Sequence, residues 1–304
     1  MQKILITPRS LTKSGHPALD KLSERGYELV FSTPGRQPSE DEIIGLLTGC
    51  VGYLAGVEKI SSNVLESAKD LKVISRNGSG IDNIDLESAK RLNIRICNTE
   101  GANARGVAEL TIGLMFSLVR SIPYQYEKMK EGVWERIRGI ELEDRVLGLI
   151  GCGQIGQHVA LLALGLGMRV LAYDPDPSFS PSEKFQYVSL DELLPQSDII
   201  SLHRPAPLSG KPFVTAQVIK KMKKGVYLIN TARASLLDEN AVLQALDSHH
   251  ISGLATDVYE KEPPDDFRLV KHDHVIATPH IGGFTKESVL RATSQAVDNL
   301  INNL

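Results

Sequence analysis

Along the first hundred residues the apolar positions follow two alternating rhythms. Short β-rich runs at Lys3 to Thr7, Tyr27 to Ser32, Cys50 to Ala55, Leu71 to Ser75 and Ile94 to Cys97 predict strands, and amphipathic stretches of helical spacing fill each gap. Ser39, followed three residues later by Glu42, matches a capping box that opens one of those helices. This alternation predicts an α/β fold, a parallel sheet with helices on both faces.

A long helix is expected from Asn103 to Val119, where Val107, Leu110, Leu114 and Leu118 line one face; it reads as the crossing between two domains. A second alternating series begins at Arg145 and runs to about His280, with strands near 146–150, 168–173, 198–202, 226–230, 252–256 and 274–278. The last stretch, Thr285 to Leu304, sets Val289, Ala292, Ala296, Val297 and Leu300 at helical spacing behind a Thr285 cap and is expected to return to the first domain. Two doubly wound parallel-sheet domains follow, one of residues 1–98 and 285–304, the other, of residues 99–284, inserted in it.

Composition chiefly excludes. A chain of 304 residues, 42% hydrophobic and 23% charged, has room for two ordinary cores. Its net charge of -3 offers no broad attraction to nucleic acid or an anionic membrane, so a small-molecule partner is expected. No window approaches about 18 uncharged apolar residues, and MQKILITPRS lacks the features of a secretory signal. A cytoplasmic location without membrane contact is expected. Cys50, Cys97 and Cys152 are odd in number and lack ligand spacing, as reduced thiols would be. His272 and His274 flank Asp273 but have no third ligand at a recognisable spacing, so no metal is expected. The run Lys220 to Lys224 reads as lysines at a helix end, where they complement the dipole, rather than as a nucleic-acid patch.

Chemistry enters with Gly151-Cys152-Gly153-Gln154-Ile155-Gly156, directly after the apolar run Val146 to Ile150 and ahead of a helical pattern through Val159, Leu162 and Leu166. Glycines at those positions permit a tight turn and close approach of backbone to a pyrophosphate, which the helix N-terminus stabilises. Asp174 closes the next predicted strand, near the separation of ~20 residues expected of an acid that binds the adenosine ribose. Asp174-Pro175-Asp176 sets two carboxylates and no arginine where a 2'-phosphate would lie, which favours NAD over NADP.

Ligands of an open α/β sheet bind outside the carboxyl ends of its strands. Arg233, Asp257, Glu262 and His280 all follow predicted strand ends. Oxidation of a 2-hydroxy acid needs a base for the hydroxyl proton, and the reverse reaction needs the same group as an acid; histidine serves both. A carboxylate beside it orients the ring and favours its charged form, while a guanidinium clamps a substrate carboxylate and polarises its carbonyl oxygen. Glu262 and Arg233 match those needs.

The chain resembles the D-2-hydroxyacid dehydrogenase family over nearly its whole length. The resemblance rests on RNGSGIDNIDL (76–86), NTEGANARGVAELT (98–111), GCGQIG, INTARASLLDE (229–239), GLATDVYEKEPP (253–264) and TPHIGGFTKES (278–288), in that order. It implies Arg233 as substrate clamp, Glu262 as partner of the histidine and His280 as acid-base. It also implies a Rossmann cofactor domain inserted in a flavodoxin-like substrate domain, with a dimer or larger homo-oligomer. By the same resemblance Asn77, Gly78, Ser79 and Gly80 serve the substrate, Ser79 also the cofactor, and Gln154 and Ile155 the pyrophosphate. His203, Arg204, Pro205, Thr231, Ala232, Asp257, Gly282 and Gly283 are implied along the cofactor.

Within the family, RNGSGIDNIDL and GVWERIRGIEL (132–142) are most similar to D-3-phosphoglycerate dehydrogenases, which implies conversion of D-3-phosphoglycerate to 3-phosphohydroxypyruvate in serine biosynthesis. That analogy makes Arg136 a substrate-phosphate contact offered by a neighbouring subunit; its plainer reading is a solvated helix-end arginine. Reduction of glyoxylate or hydroxypyruvate is the alternative, and an NAD-sensing protein resembling the C-terminal-binding corepressors a distant one. Ala234-Ser235, where relatives carry two glycines, and Arg204, where a small or neutral residue is commoner, depart from the pattern and bear on substrate identity. No regulatory domain is expected after the last helix.

Overall fold

The protein is described by a computed structural model covering residues 1–207 and 209–304. Its backbone divides into two compact units, Met1–Asn103 with Thr285–Leu304, and Ala104–Phe284.

Unit 1 contains five strands, β1 (Lys3–Ile6), β2 (Glu28–Phe31), β3 (Cys50–Ala55), β4 (Val73–Arg76) and β5 (Arg95–Cys97), all parallel and ordered β2-β1-β3-β4-β5. Central β3 is buried at every position, whereas edge strand β2 exposes Glu28 and Phe31. That contrast is what a sheet covered on both faces requires, an unbroken apolar run inside and alternation at the rim. The closing helix, Lys286–Asn303, is capped by Thr285, whose hydroxyl accepts from the Ser288 N–H. It lays Ala296, Val297 and Leu300 against Ile4, Ile6, Leu54 and Val73 on one face of this sheet.

Unit 2 holds β6 (Val146–Ile150), β7 (Arg169–Tyr173), β8 (Phe185–Tyr187), β9 (Ile199–Leu202), β10 (Val226–Asn230), β11 (Ile251–Thr256) and β12 (Val275–Ala277). They form one parallel sheet in the order β12-β11-β10-β9-β6-β7-β8. The order reverses at β6, between β9 and β7, which is where doubly wound sheets open a ligand crevice. The sequence predicts six of these strands and misses β8: it is a three-residue edge strand centred on exposed Gln186, too short for a period to register. The long helix, Ala104–Val119, buries Val107, Ala108, Thr111, Leu114, Met115 and Leu118, while Leu110, expected on that face, is only partly buried against it.

Two caps differ from expectation. Ser39 accepts from the Glu42 N–H as a cap should, but the Glu42 carboxylate turns instead to the N–H and hydroxyl of Thr33, at 2.7 and 2.8 Å. The complete capping box belongs to Ser189 and Glu192. Among the described residues, no single helix is long and apolar enough to cross a membrane.

Candidate active site

Parallel strands deliver their carboxyl ends to one edge of the sheet, and in unit 2 the chemistry-bearing residues follow those ends. Gly151 follows β6, Asp174 follows β7, His203 to Pro205 follow β9, Thr231 to Arg233 follow β10, Asp257 follows β11, and His280, Gly282 and Gly283 follow β12.

At β6 the chain turns sharply. Gly151 has φ +97°, and a Cβ there would lie 2.4 Å from the His203 carbonyl oxygen, so only glycine fits. Gly156 is equally constrained, its Cβ position 2.5 Å from the Gly151 oxygen. Gly153 differs: it caps the helix Gln154–Gly165 with no side-chain bond, and nothing lies within 4 Å of where its Cβ would be. An uncapped helix N-terminus facing open space beside a turn too tight for side chains is a cradle suited to a pyrophosphate. The first-turn N–H groups, partly positive, would receive phosphate oxygens there.

Asp174 braces this cradle. One carboxylate oxygen accepts the Cys152 N–H at 2.6 Å and the other the Asp176 N–H at 2.9 Å, holding the turn against the end of β7. Cys152 itself is buried, and that burial raises its thiol pKa, the reverse of what a reactive cysteine at a helix start requires. On the other side of β6, His203 donates its backbone N–H to Ile150 and pairs Nε2 with the Ser201 hydroxyl at 2.8 Å. Burial pushes its imidazole down to about 3, so the ring is neutral at physiological pH.

A histidine–carboxylate pair stands beyond the ends of β11 and β12. His280, at φ +52°, sets Nδ1 at 2.8 Å from both carboxylate oxygens of Glu262. Its Nε2 bonds to no described residue. A carboxylate on Nδ1 fixes the tautomer and aims Nε2 outward, the arrangement a proton-transferring imidazole needs. Asp257, 1% exposed, accepts from the Thr278 hydroxyl (2.6 Å) and from the N–H groups of Ile281 and Gly282 (2.8 Å each). Hydrogen bonds to a charged group contribute about 1.5–3 kcal/mol each, so this carboxylate fastens the segment carrying His280 to β11.

Arg233 is held from behind. Asn230, fully buried at the end of β10, donates to the Arg233 carbonyl (2.8 Å) and accepts from the Ala232 N–H (3.1 Å), while Thr231 shares a hydroxyl bond of 3.1 Å with Thr111. Arg233 also donates to the Ala232 carbonyl at 2.7 Å. Sequence reasoning passed over Asn230 and Tyr259; the latter donates its hydroxyl to the Thr278 carbonyl at 2.8 Å and its N–H to Glu262. Asn230 carries a readable signal, a lone amide closing an apolar strand, whereas nothing around Tyr259 marks it.

In unit 1 the predicted Asn77 to Gly80 turn follows β4. Asn77 donates its amide to Thr293, Gly78 has φ +150°, and Ser79 bonds Asn103 at 3.0 Å while its carbonyl receives the Asn98 amide at 2.7 Å. Arg136 lies at no strand end; it is exposed in the irregular segment between the helix Ile122–Lys130 and β6.

Comparison with known proteins agrees with this geometry. Residues 112–282 match the model of the NAD-binding domain of D-isomer-specific 2-hydroxyacid dehydrogenases. A hydroxypyruvate reductase from Thermotoga maritima is 42% identical over 251 residues, 81% of this chain and 82% of that protein. A D-3-phosphoglycerate dehydrogenase from Sus scrofa is 40% identical over 83% of this chain, but the match spans only 48% of that protein. Among solved structures, a D-lactate dehydrogenase from Aquifex aeolicus in complex with NAD and lactic acid superposes with a TM-score of 0.86 at 31% identity, covering 98% of this chain and 94% of its own. The cradle, the strand orders and these matches together place the chain in the D-isomer-specific 2-hydroxyacid dehydrogenase family, with an NAD-binding domain in its second unit.

Proposed function

We propose that the protein moves hydride between NAD and a small D-2-hydroxy acid or its 2-oxo counterpart, with His280 as acid-base, Glu262 as its orienting partner and Arg233 as substrate clamp. The observation that carries this reading is the His280–Glu262 pair, with both oxygens at 2.8 Å from Nδ1 and Nε2 left open. The bound nicotinamide supplies the hydride acceptor. His280 Nε2 takes the hydroxyl proton as the C2–H bond breaks and returns it in the reduction. Arg233 holds the substrate carboxylate and polarises the forming carbonyl.

The cofactor lies, on this reading, along Gly151, Gly153, Gln154, Ile155, Gly156 and Asp174, then His203 to Pro205, Thr231, Ala232, Asp257, Gly282 and Gly283. Asn77 to Gly80 serve the substrate, and Ser79 both. Residues 1–98 with 285–304 form the substrate domain and 99–284 the cofactor domain. For the substrate we favour D-3-phosphoglycerate, on the strength of the 76–86 and 132–142 segments, with Arg136 as its phosphate contact. A second reading, reduction of hydroxypyruvate or glyoxylate, is supported by the Thermotoga relative, which matches over most of both chains. A cytoplasmic homo-oligomer, most simply a dimer, fits the strongly exposed Tyr126, Met129 and Trp134.

Initial rates with NAD and D-3-phosphoglycerate, beside NADH oxidation with hydroxypyruvate, glyoxylate and pyruvate, test both. Preference for phosphoglycerate supports the first reading. Preference for an unphosphorylated 2-oxo acid replaces it with the second, and no turnover with any of them, in protein that binds NADH, removes the enzymatic reading.

A further inference from the structure

Arg204 follows β9 directly after His203, and its surroundings are unusual for a half-buried guanidinium. Among the described residues no carboxylate lies within 4 Å and none accepts a hydrogen bond from any of its nitrogens; Nε is buried and unpartnered. The guanidinium carbon lies instead over the Phe213 ring, 4.5 Å from its centroid. Phe213 is itself fixed, its N–H donating to the Leu236 carbonyl just beyond the Arg233 turn. A partly buried charge with neither ion pair nor hydrogen bond among the described residues gains from an anion that a ligand supplies. A cation–π contact with an aromatic face leaves the terminal N–H groups, which are not buried, available for contact with phosphate.

Position decides which anion. The Arg204 N lies 2.9 Å from where a Gly151 Cβ would be, so its backbone abuts the cradle itself, at the β9–β6 boundary where the strand order reverses. Its platform, Phe213, sits toward β10 through the bond to Leu236. The guanidinium is therefore stationed between the pyrophosphate cradle and the Arg233 turn. Resting on the cofactor placement proposed above, we infer that Arg204, carried on Phe213, is a second phosphate ligand of the dinucleotide: it completes with a full charge what the helix N-terminus offers as a partial one.

The test is NADH binding, read by nicotinamide fluorescence, in wild type, Arg204→Met, Arg204→Lys and Phe213→Leu, with thermal melting as a folding control. Loss of a charge-assisted pair predicts NADH binding about 10- to 100-fold weaker in Arg204→Met, with a shallower dependence of log Kd on log salt. Arg204→Lys should recover part of the affinity, since it keeps the charge without the fork. Phe213→Leu should weaken binding less than Arg204→Met; if it fails to fold, the two arginine variants carry the test alone. KM for phosphorylated and unphosphorylated substrates separates the two sources of phosphate. Unchanged NADH affinity in folded Arg204→Met overturns the inference, and a rise confined to the KM of a phosphorylated substrate gives the residue to the substrate instead. Failure of wild type to bind NADH at all would overturn the cofactor placement rather than the role of Arg204.

Discussion

His280 is useful because one nitrogen is committed and the other is not. With Nδ1 fixed by Glu262 and Nε2 open, His280→Asn should remove proton transfer and leave the cradle intact. The expected outcome is a fall in kcat of about 10²- to 10⁴-fold with NADH affinity unchanged; equal losses in both would deny the acid-base role. Glu262→Gln should cost less, since the amide can still orient the ring. His203 is the opposite kind of histidine, its Nδ1 buried and its ring neutral. Its folded-state pKa of about 3 lies below the unfolded value of 6.5, so below pH 6.5 the unfolded chain binds a proton that the native state refuses. Stability should therefore fall as pH drops from 6.5 toward 3, by at most about 1.4 kcal/mol per pH unit from this group. Urea midpoints for His203→Gln should be flatter over that window than for wild type; parallel curves would show the ring to be protonated in the native state. That Arg233, Asp257 and His280 follow strand ends, with Glu262 beyond Asp257, was legible from the order of strands and motifs. The tether from Asp174 to the Cys152 N–H and the support from Tyr259 were not, because a backbone N–H leaves no mark in a sequence.

Elements show the same division between what periodicity carries and what it cannot. Strands buried on both faces, such as β3, β6 and β9, announce themselves as unbroken apolar runs, while edge strand β8 does not. Capping is subtler. Ser39 and Ser189 are both followed at the third position by glutamate, yet only the second box closes, because Thr33 competes for Glu42 from across the chain. The turn after β6 permits a sharper test, since Gly151 and Gly153 have opposite reasons to be glycine. Gly151→Ala should destabilise the fold, at φ +97° and against a carbonyl oxygen, by roughly 1–3 kcal/mol or more from the backbone conformation alone. Gly153→Ala, at φ -71° with open space beyond, should melt like wild type and yet bind NADH more weakly, because its methyl enters the cradle. Melting curves and NADH titration of the pair distinguish the two; normal NADH binding by Gly153→Ala would mean that no ligand backbone approaches there.

At the scale of the molecule, two parallel sheets and the run of motifs were readable, because parallel βα units repeat one simple pattern, whereas the order of strands within each sheet was not. Association was less so, since exposure is a property of the folded surface. Trp134 is 79% exposed, Tyr126 60% and Met129 54%, within and just after the helix Ile122–Lys130. If that surface holds a dimer, Trp134→Glu should shift sedimentation toward the monomer while leaving NADH affinity of the folded chain unchanged; a dimer undisturbed by the change would place the interface elsewhere.

The helix Lys286–Asn303 has one further consequence, for the order in which the chain is made. It covers Ile4, Ile6, Leu54 and Val73, yet it is translated after all of unit 2. At ~5–20 residues per second, the first unit waits on the order of ten seconds or more, with that side of its sheet only partly covered, while the intervening unit is being made. Unit 1 thus begins before unit 2 and is completed after it, and during that interval its unfinished apolar face is open to a chaperone.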